Sequence, residues 1–226
     1  MAWVPNRAAQ ARCVPFAAFM LLLVLRGLVP GDGSWGFDSR WIFAITVLVV
    51  GALLAWYWRE YGELVKQTLP SRAESALAVV VGLVVFALWI RLDARWMQLS
   101  EPAVAFVPID ANGRLLWPLI VVRWIGASLV VPVMEELFWR SFLMRWIRSP
   151  QFETVLPQQV GLRAIVLTTF VFTLAHTLWL AAVIAGLAYA LLYARTGKLC
   201  VPIIAHAVAN GALGIWIVAT GRWSFW

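Results

Sequence analysis

Histidine and cysteine are scarce in this chain, two of each among 226 residues, and charge is thin at 13%. Cys13 and Cys200 sit in or beside apolar stretches without metal-type spacing, which excludes a disulfide framework and a cysteine metal cluster. They read as buried small residues rather than nucleophiles. No His-Glu-x-x-His occurs, so the usual zinc-protease signature is missing. The net charge is +7, yet the 18 lysines and arginines are scattered along the loops. No basic run with interleaved aromatics is present, and a nucleic-acid partner is rejected on that ground. There is neither a repeat of solenoid period nor a polar stretch that could form a second, soluble domain.

What the chain has instead is apolar length. It is 63% hydrophobic, with a mean hydropathy of +0.84, far from a soluble globular average. Its 15 tryptophans suit interfacial belts as well as packing. The pattern predicts an all-α, polytopic transmembrane bundle of about seven helices, eight if part of residues 93–114 re-enters the membrane, in one membrane domain over 1–226. After a short tail with Arg7 and Arg12, a first span runs over residues 14–29, with Arg26 snorkelling near its end. Residues 30–34 read as a turn. Further spans cover 41–58 and 75–92, each close to the roughly 20 residues a bilayer requires. Pro70-Ser71 signals a helix start. Prolines and the Asp110-Ala111-Asn112-Gly113 turn break helix across 93–114.

A fourth helix, 115–147, would be roughly 50 Å long at 1.5 Å per residue, so it must tilt, kink at Pro132 or project from the bilayer. Helices at 162–178, 179–194 and 199–220 complete the set, with Arg195-Thr196-Gly197-Lys198 as the last turn. Basic residues such as Arg72, Arg145, Arg148, Arg163, Arg195 and Lys198 crowd one side and place it, with the N-terminus, in the cytoplasm.

The fourth helix carries Glu135, Glu136 and Arg140 inside an apolar run. Charges at bilayer depth cost a few kcal/mol, so they are normally paired, turned inward and functional. Glu136 and Arg140 are four apart and share a helical face, which suits an ion pair. Glu135 points about 100° away and is left to exchange protons or to join a structural knot. His206 and Asn210, also four apart, share a face of the last helix. Counted by helical rise, Glu135 lies about 15 Å from Arg145, His176 about 20 Å from Arg163, and His206 about 12 Å from Lys198. All four polar residues therefore fall in one layer, expected to be reached from the cytoplasmic face. Such a set permits water activation by Glu135 and His176, with His206 and Asn210 donating to an oxyanion. Zn2+ held by Glu135, His176 and His206 is the alternative that the residue types leave open.

Glu135-Glu136-x-x-x-Arg140, Phe172-x-x-x-His176 and His206-x-x-x-Asn210, in that order, resemble the motifs of the CPBP intramembrane proteases. These include the CAAX prenyl endopeptidases and the bacterial Abi relatives. The match covers a motif-bearing core at about 115–215, and its wording is most similar to the bacterial CAAX protease-related branch found beside exosortase systems. The resemblance implies an intramembrane endopeptidase, of glutamate type or metallo type, in the bacterial inner membrane. Glu135 and His176 would activate water, His206 and Asn210 would bind the oxyanion, and Glu136, Arg140 and Phe172 would support them. Implied partners are membrane lipids, a membrane-associated or lipidated peptide substrate, and an exosortase-type sorting system. Two rivals remain: a non-enzymatic membrane scaffold or immunity-type protein that keeps the polar cluster for packing, and a proton-relay transporter, disfavoured by the missing repeat. A cavity joining the four side chains favours the enzyme, and a dry, fully paired cluster favours the scaffold. The Ala182, Gly186, Ala190, Ala194 ridge, Gly51 and Gly82 read as helix-packing positions. Arg123 reads as a second internal charge or a site residue. Asp93, Glu101 and Asp110 read as solvated loop residues.

Overall fold

A computed structural model describes residues 6–29, 36–65, 69–99 and 106–226. The 30–34 turn, Lys66, Glu101 and Pro102 lie outside them. The fold is the expected all-α polytopic bundle, and six helices are long and apolar enough to cross a membrane. Their apolar residues point outward as well as inward: Leu48, Val80, Leu129 and Ile215 are exposed, as a lipid-facing surface allows.

Helix α1, Arg7–Leu28, starts earlier than the apolar run suggests. Asn6 caps it by accepting from the Ala9 amide at 2.9 Å. Arg12 is thus not tail but a buried helical residue. α2, Ile42–Trp56, follows a 3-10 turn, and α3, Arg72–Trp89, starts at Ser71 with a full capping box to Glu74. α4 is the long helix, Trp117–Arg148. It relieves its length by widening: π-type turns occupy Gly126–Val130 and Leu137–Met144. The first ends just before Pro132, and the Val131 amide reaches back to the Gly126 carbonyl. Proline cannot donate to the helical ladder, and the widened turn absorbs that gap.

α5, Gly161–Leu174, has 14 residues, about 21 Å, and ends before residue 178. His176 therefore sits in the α5–α6 turn. α6, Trp179–Thr196, and α7, Cys200–Thr220, both stop at left-handed glycines, Gly197 (φ 69°) and Gly221 (φ 68°), where a side chain would strain the backbone. Between α3 and α4, the described part of the connection is anchored rather than free. Gln98 forms an antiparallel bridge with Leu178, and the Leu99 amide donates to the Thr177 carbonyl at 2.8 Å.

α3 and α7 run side by side in the same direction. Lys198 pairs with Glu74 at one end (2.8 Å) and Arg222 with Asp93 at the other (2.8 Å). Midway, Gly82 lets the backbones touch: a Cβ there would collide with the Ala205 carbonyl and lie 2.9 Å from Val208 Cβ. Gly186 does the same between α6 and α5, where a Cβ would meet Thr169 at 3.0 Å and Phe172 at 3.2 Å. Ala182 and Ala190 of the same ridge are buried. Gly51 is not a packing position, because a Cβ would meet nothing within 4 Å. Gly126 takes that role instead, against Val47 and Phe43 of α2.

Candidate active site

Glu135, Glu136 and Arg140 are all buried on α4, and Glu136 has no exposed surface. The expected ion pair forms, with Arg140 Nε 3.1 Å from Glu136 Oε2. Arg140 also donates from Nη2 to the Gly186 carbonyl at 3.2 Å. Its guanidinium lies over the rings of Phe172 (4.9 Å) and Tyr189 (5.5 Å), so a cation that costs much to desolvate is held by a carboxylate, a carbonyl and two π faces. The other Glu136 oxygen, Oε1, lies 2.9 Å from His206 Nδ1, and the His206 ring stacks on Tyr189 at 4.9 Å. Glu136 thereby joins α4 to α7, a partnership that spacing within one helix could not reveal.

The two histidines are oriented alike. His176 Nδ1 is 2.8 Å from the Phe172 carbonyl, which can only accept, so Nδ1 carries the proton and Nε2 is left as a base. The Phe172 ring lies 4.3 Å from that imidazole, and Trp89 meets it edge-on at 5.7 Å. On His206 the carboxylate likewise fixes the proton on Nδ1. Its Nε2 donates only when the ring is an imidazolium. Asn210 spends one amide N–H on the Ala127 carbonyl at 2.9 Å, inside the first widened turn of α4, and keeps the second.

Glu135, His176, His206 and Asn210 line a single cavity of about 190 Å3, together with Phe172, Tyr189, Trp89 and Phe225 among others. One Glu135 oxygen, Oε2, is buried there without a hydrogen-bond partner. The shared layer anticipated from helical rise is thus present, but its approach is not the expected one. The walls continue along the C-terminal halves of α3 and α7, toward Trp89, Leu213 and Phe225, away from Arg145 and Lys198. Trp89 and Phe225 also line a second, 410 Å3 cleft with Asp93, Gln98, Arg222 and Ser224. Asp93 is therefore an ion-paired cleft residue rather than a bystander. Asp110 does belong to a turn, where its side chain accepts from the Asn112 and Arg114 amides. Arg123 lies outside the cavity lining, 4.5 Å from the rings of both Phe43 and Phe106.

A metal finds no ready shell. Among the described residues, no three His, Cys, Asp or Glu side chains are gathered closely enough to share one ion, although three candidate ligands line one cavity. The reaction below is derived without one.

On the far side of the catalytic layer lies a polar knot that the sequence did not disclose. Glu63, on the single turn Gly62–Val65, binds Arg12 at 3.2 Å and Arg145 at 2.7 Å. It also accepts from Ser141 and Tyr193. Burial alone would raise the Glu63 carboxyl, but Arg145 and Arg12, aided by those two hydroxyls, hold it below the usual carboxylate range. The available signal was no more than one of two acids, Glu60 and Glu63, in a mixed-charge loop.

Fold and site together define a polytopic helical membrane protein with a buried, cavity-lining set of proton-transfer groups. Residues 116–212 match the family model of the type II CAAX prenyl endopeptidases, Rce1-like, a span that includes all four polar residues of the cavity. No curated protein and no solved structure matches the chain.

Proposed function

We propose that the protein is an intramembrane endopeptidase of the CAAX-protease type, hydrolysing a peptide bond in a membrane-associated or lipid-bearing protein, with its N-terminus in the cytoplasm. One observation carries the reading: side chains from α4, the α5–α6 turn and α7, an acid, two imidazoles and an amide, line one cavity. In the proposed reaction Glu135 removes a proton from water, with His176 Nε2 accepting from and orienting the same molecule. The hydroxide adds to the scissile carbonyl. The free N–H of Asn210 and the imidazolium of His206 donate to the resulting oxyanion. As the C–N bond breaks, Glu135 passes its proton to the leaving amine.

The test is hydrolysis of a fluorogenic lipidated peptide in proteoliposomes. Glu135→Gln, His176→Ala and His206→Ala are each expected to abolish turnover while the purified proteins remain folded and monodisperse. If all three instead mainly lower the unfolding temperature, the polar set is a packing device and the scaffold reading replaces the enzyme.

A further inference from the structure

We propose that the cavity is served from the extracytoplasmic side of the membrane, so that its substrate is a peptide segment of a protein already exposed on that side. The proposal rests on the protease reading for the word substrate, and on two independent observations for the side.

The first is the shape of the site. The cavity adjoins the end of the bundle that holds Asp93 and Arg222. Shared walls at Trp89 and Phe225 join it there to the 410 Å3 cleft. That vestibule mixes an acid, a guanidinium, Gln98, Ser224 and the backbone of Thr177 and Leu178 with aromatic faces. Such a lining suits a polypeptide, whose amides need partners, better than a lipid tail. Toward the opposite end the way is filled. Ser141, one residue beyond Arg140, and Tyr193, one turn beyond Tyr189, close on Glu63 with Arg12 and Arg145. Ser141 and Tyr193 have no exposed surface.

The second observation is charge. The sealed end is the more basic one, with ten lysines and arginines, Arg148, Arg163, Arg195 and Lys198 among them, against six at the open end, Arg26, Arg40, Arg91, Arg95, Arg114 and Arg222. Lysine and arginine in short loops mark the cytoplasmic side. The sealed end is then cytoplasmic and the vestibule faces out.

Cysteine labelling separates the possibilities. In full-length protein with Cys13 and Cys200 replaced by alanine, Ser224→Cys reports the vestibule and Gln151→Cys the basic end. Both parent side chains are exposed. A membrane-impermeant maleimide added to intact spheroplasts is expected to label Ser224→Cys nearly fully and Gln151→Cys only after permeabilisation. The reverse pattern would overturn the proposal, and so would labelling of both from outside. Modification of Ser224→Cys with a bulky maleimide is further expected to cut peptide hydrolysis at least tenfold; unchanged hydrolysis would overturn the vestibule as the route. Labelling needs no turnover, so a protein labelled as expected but lacking hydrolysis would defeat the protease reading and leave the orientation of the cavity standing.

Discussion

Glu136 holds His206 by Nδ1 at 2.9 Å while its second oxygen lies 3.1 Å from Arg140. One carboxylate thus fixes which ring nitrogen of a histidine on another helix carries the proton and compensates a buried arginine on its own. Its neighbour Glu135 does neither. Adjacent in sequence, the two acids should respond differently to the same substitution. Glu136→Gln removes the partner of a buried charge and is expected to cost about 3–5 kcal/mol. Glu135→Gln removes a carboxylate with an unpaired oxygen and should leave stability unchanged or slightly higher, with turnover lost. Thermal unfolding in detergent beside a hydrolysis assay checks both.

Asn210 has one amide hydrogen tied to Ala127 and one free. Asn210→Ala should lower kcat by about 10²–10³-fold, the usual cost of a lost oxyanion donor, with KM little changed. A rise in KM at constant kcat would mean that Asn210 binds substrate in the ground state instead.

Gly82 lies against the carbonyl that immediately precedes His206. Gly82→Val is expected to cost about 1–3 kcal/mol by overpacking and to depress turnover in the protein that remains folded, because α7 must shift at its catalytic residue. Gly51→Ala, facing open space, should be neutral or stabilising by up to about 1 kcal/mol. Paired melting curves and specific activities would show the contrast.

Glu63 supplies a pH dependence separate from the reaction. Its carboxyl sits below the usual range in the folded protein. The stability it contributes is therefore complete above the ordinary glutamate pKa of about 4.3 and is lost as pH falls from there through the lower folded value. Unfolding temperatures from pH 7 to pH 3 should fall below about pH 4 in the parent. Glu63→Gln should be less stable at pH 7 by a margin that shrinks toward pH 3.

With no three ligands gathered at one point among the described residues, hydrolysis is expected to survive treatment with a strong chelator. Activity lost on chelation and restored by zinc would instead make Glu135, His176 and His206 its ligands, and the protein would be a metalloprotease.

The legible and illegible parts of this structure divide along a physical line. Helical rise is fixed, so depths counted from Arg145, Arg163 and Lys198 brought Glu135, His176, His206 and Asn210 to one level. The Ser71 start and the Gly197 stop were equally visible, because caps and left-handed turns restrict residue type locally. Counting along an axis says nothing about azimuth between helices. The Glu136–His206 bond and the direction in which the cavity opens were therefore hidden. The Glu63 knot was hidden for a related reason: its partners on α1, α4 and α6 are set by tertiary packing, and its acid sits on one isolated turn. The early start of α1 was missed because Arg7 and Arg12 look like a polar tail until a buried acceptor is known for Arg12.

The parallel pair α3 and α7 is pinned by an ion pair at each end and by touching backbones at Gly82. Two rods fastened at three points cannot slide or splay without breaking a fastening. They form the stationary jaw of the site, and His206 and Asn210 ride on it. A gap wide enough for a polypeptide must then come from the other wall, where the 95–99 segment meets the α5–α6 turn and the start of α6 through the Gln98–Leu178 bridge, the Leu99–Thr177 hydrogen bond and the Trp179 indole N–H on the Trp96 carbonyl. His176 immediately precedes Thr177 of that seam. The proposed water-orienting base would move with the part that yields, and the proposed oxyanion donors would not.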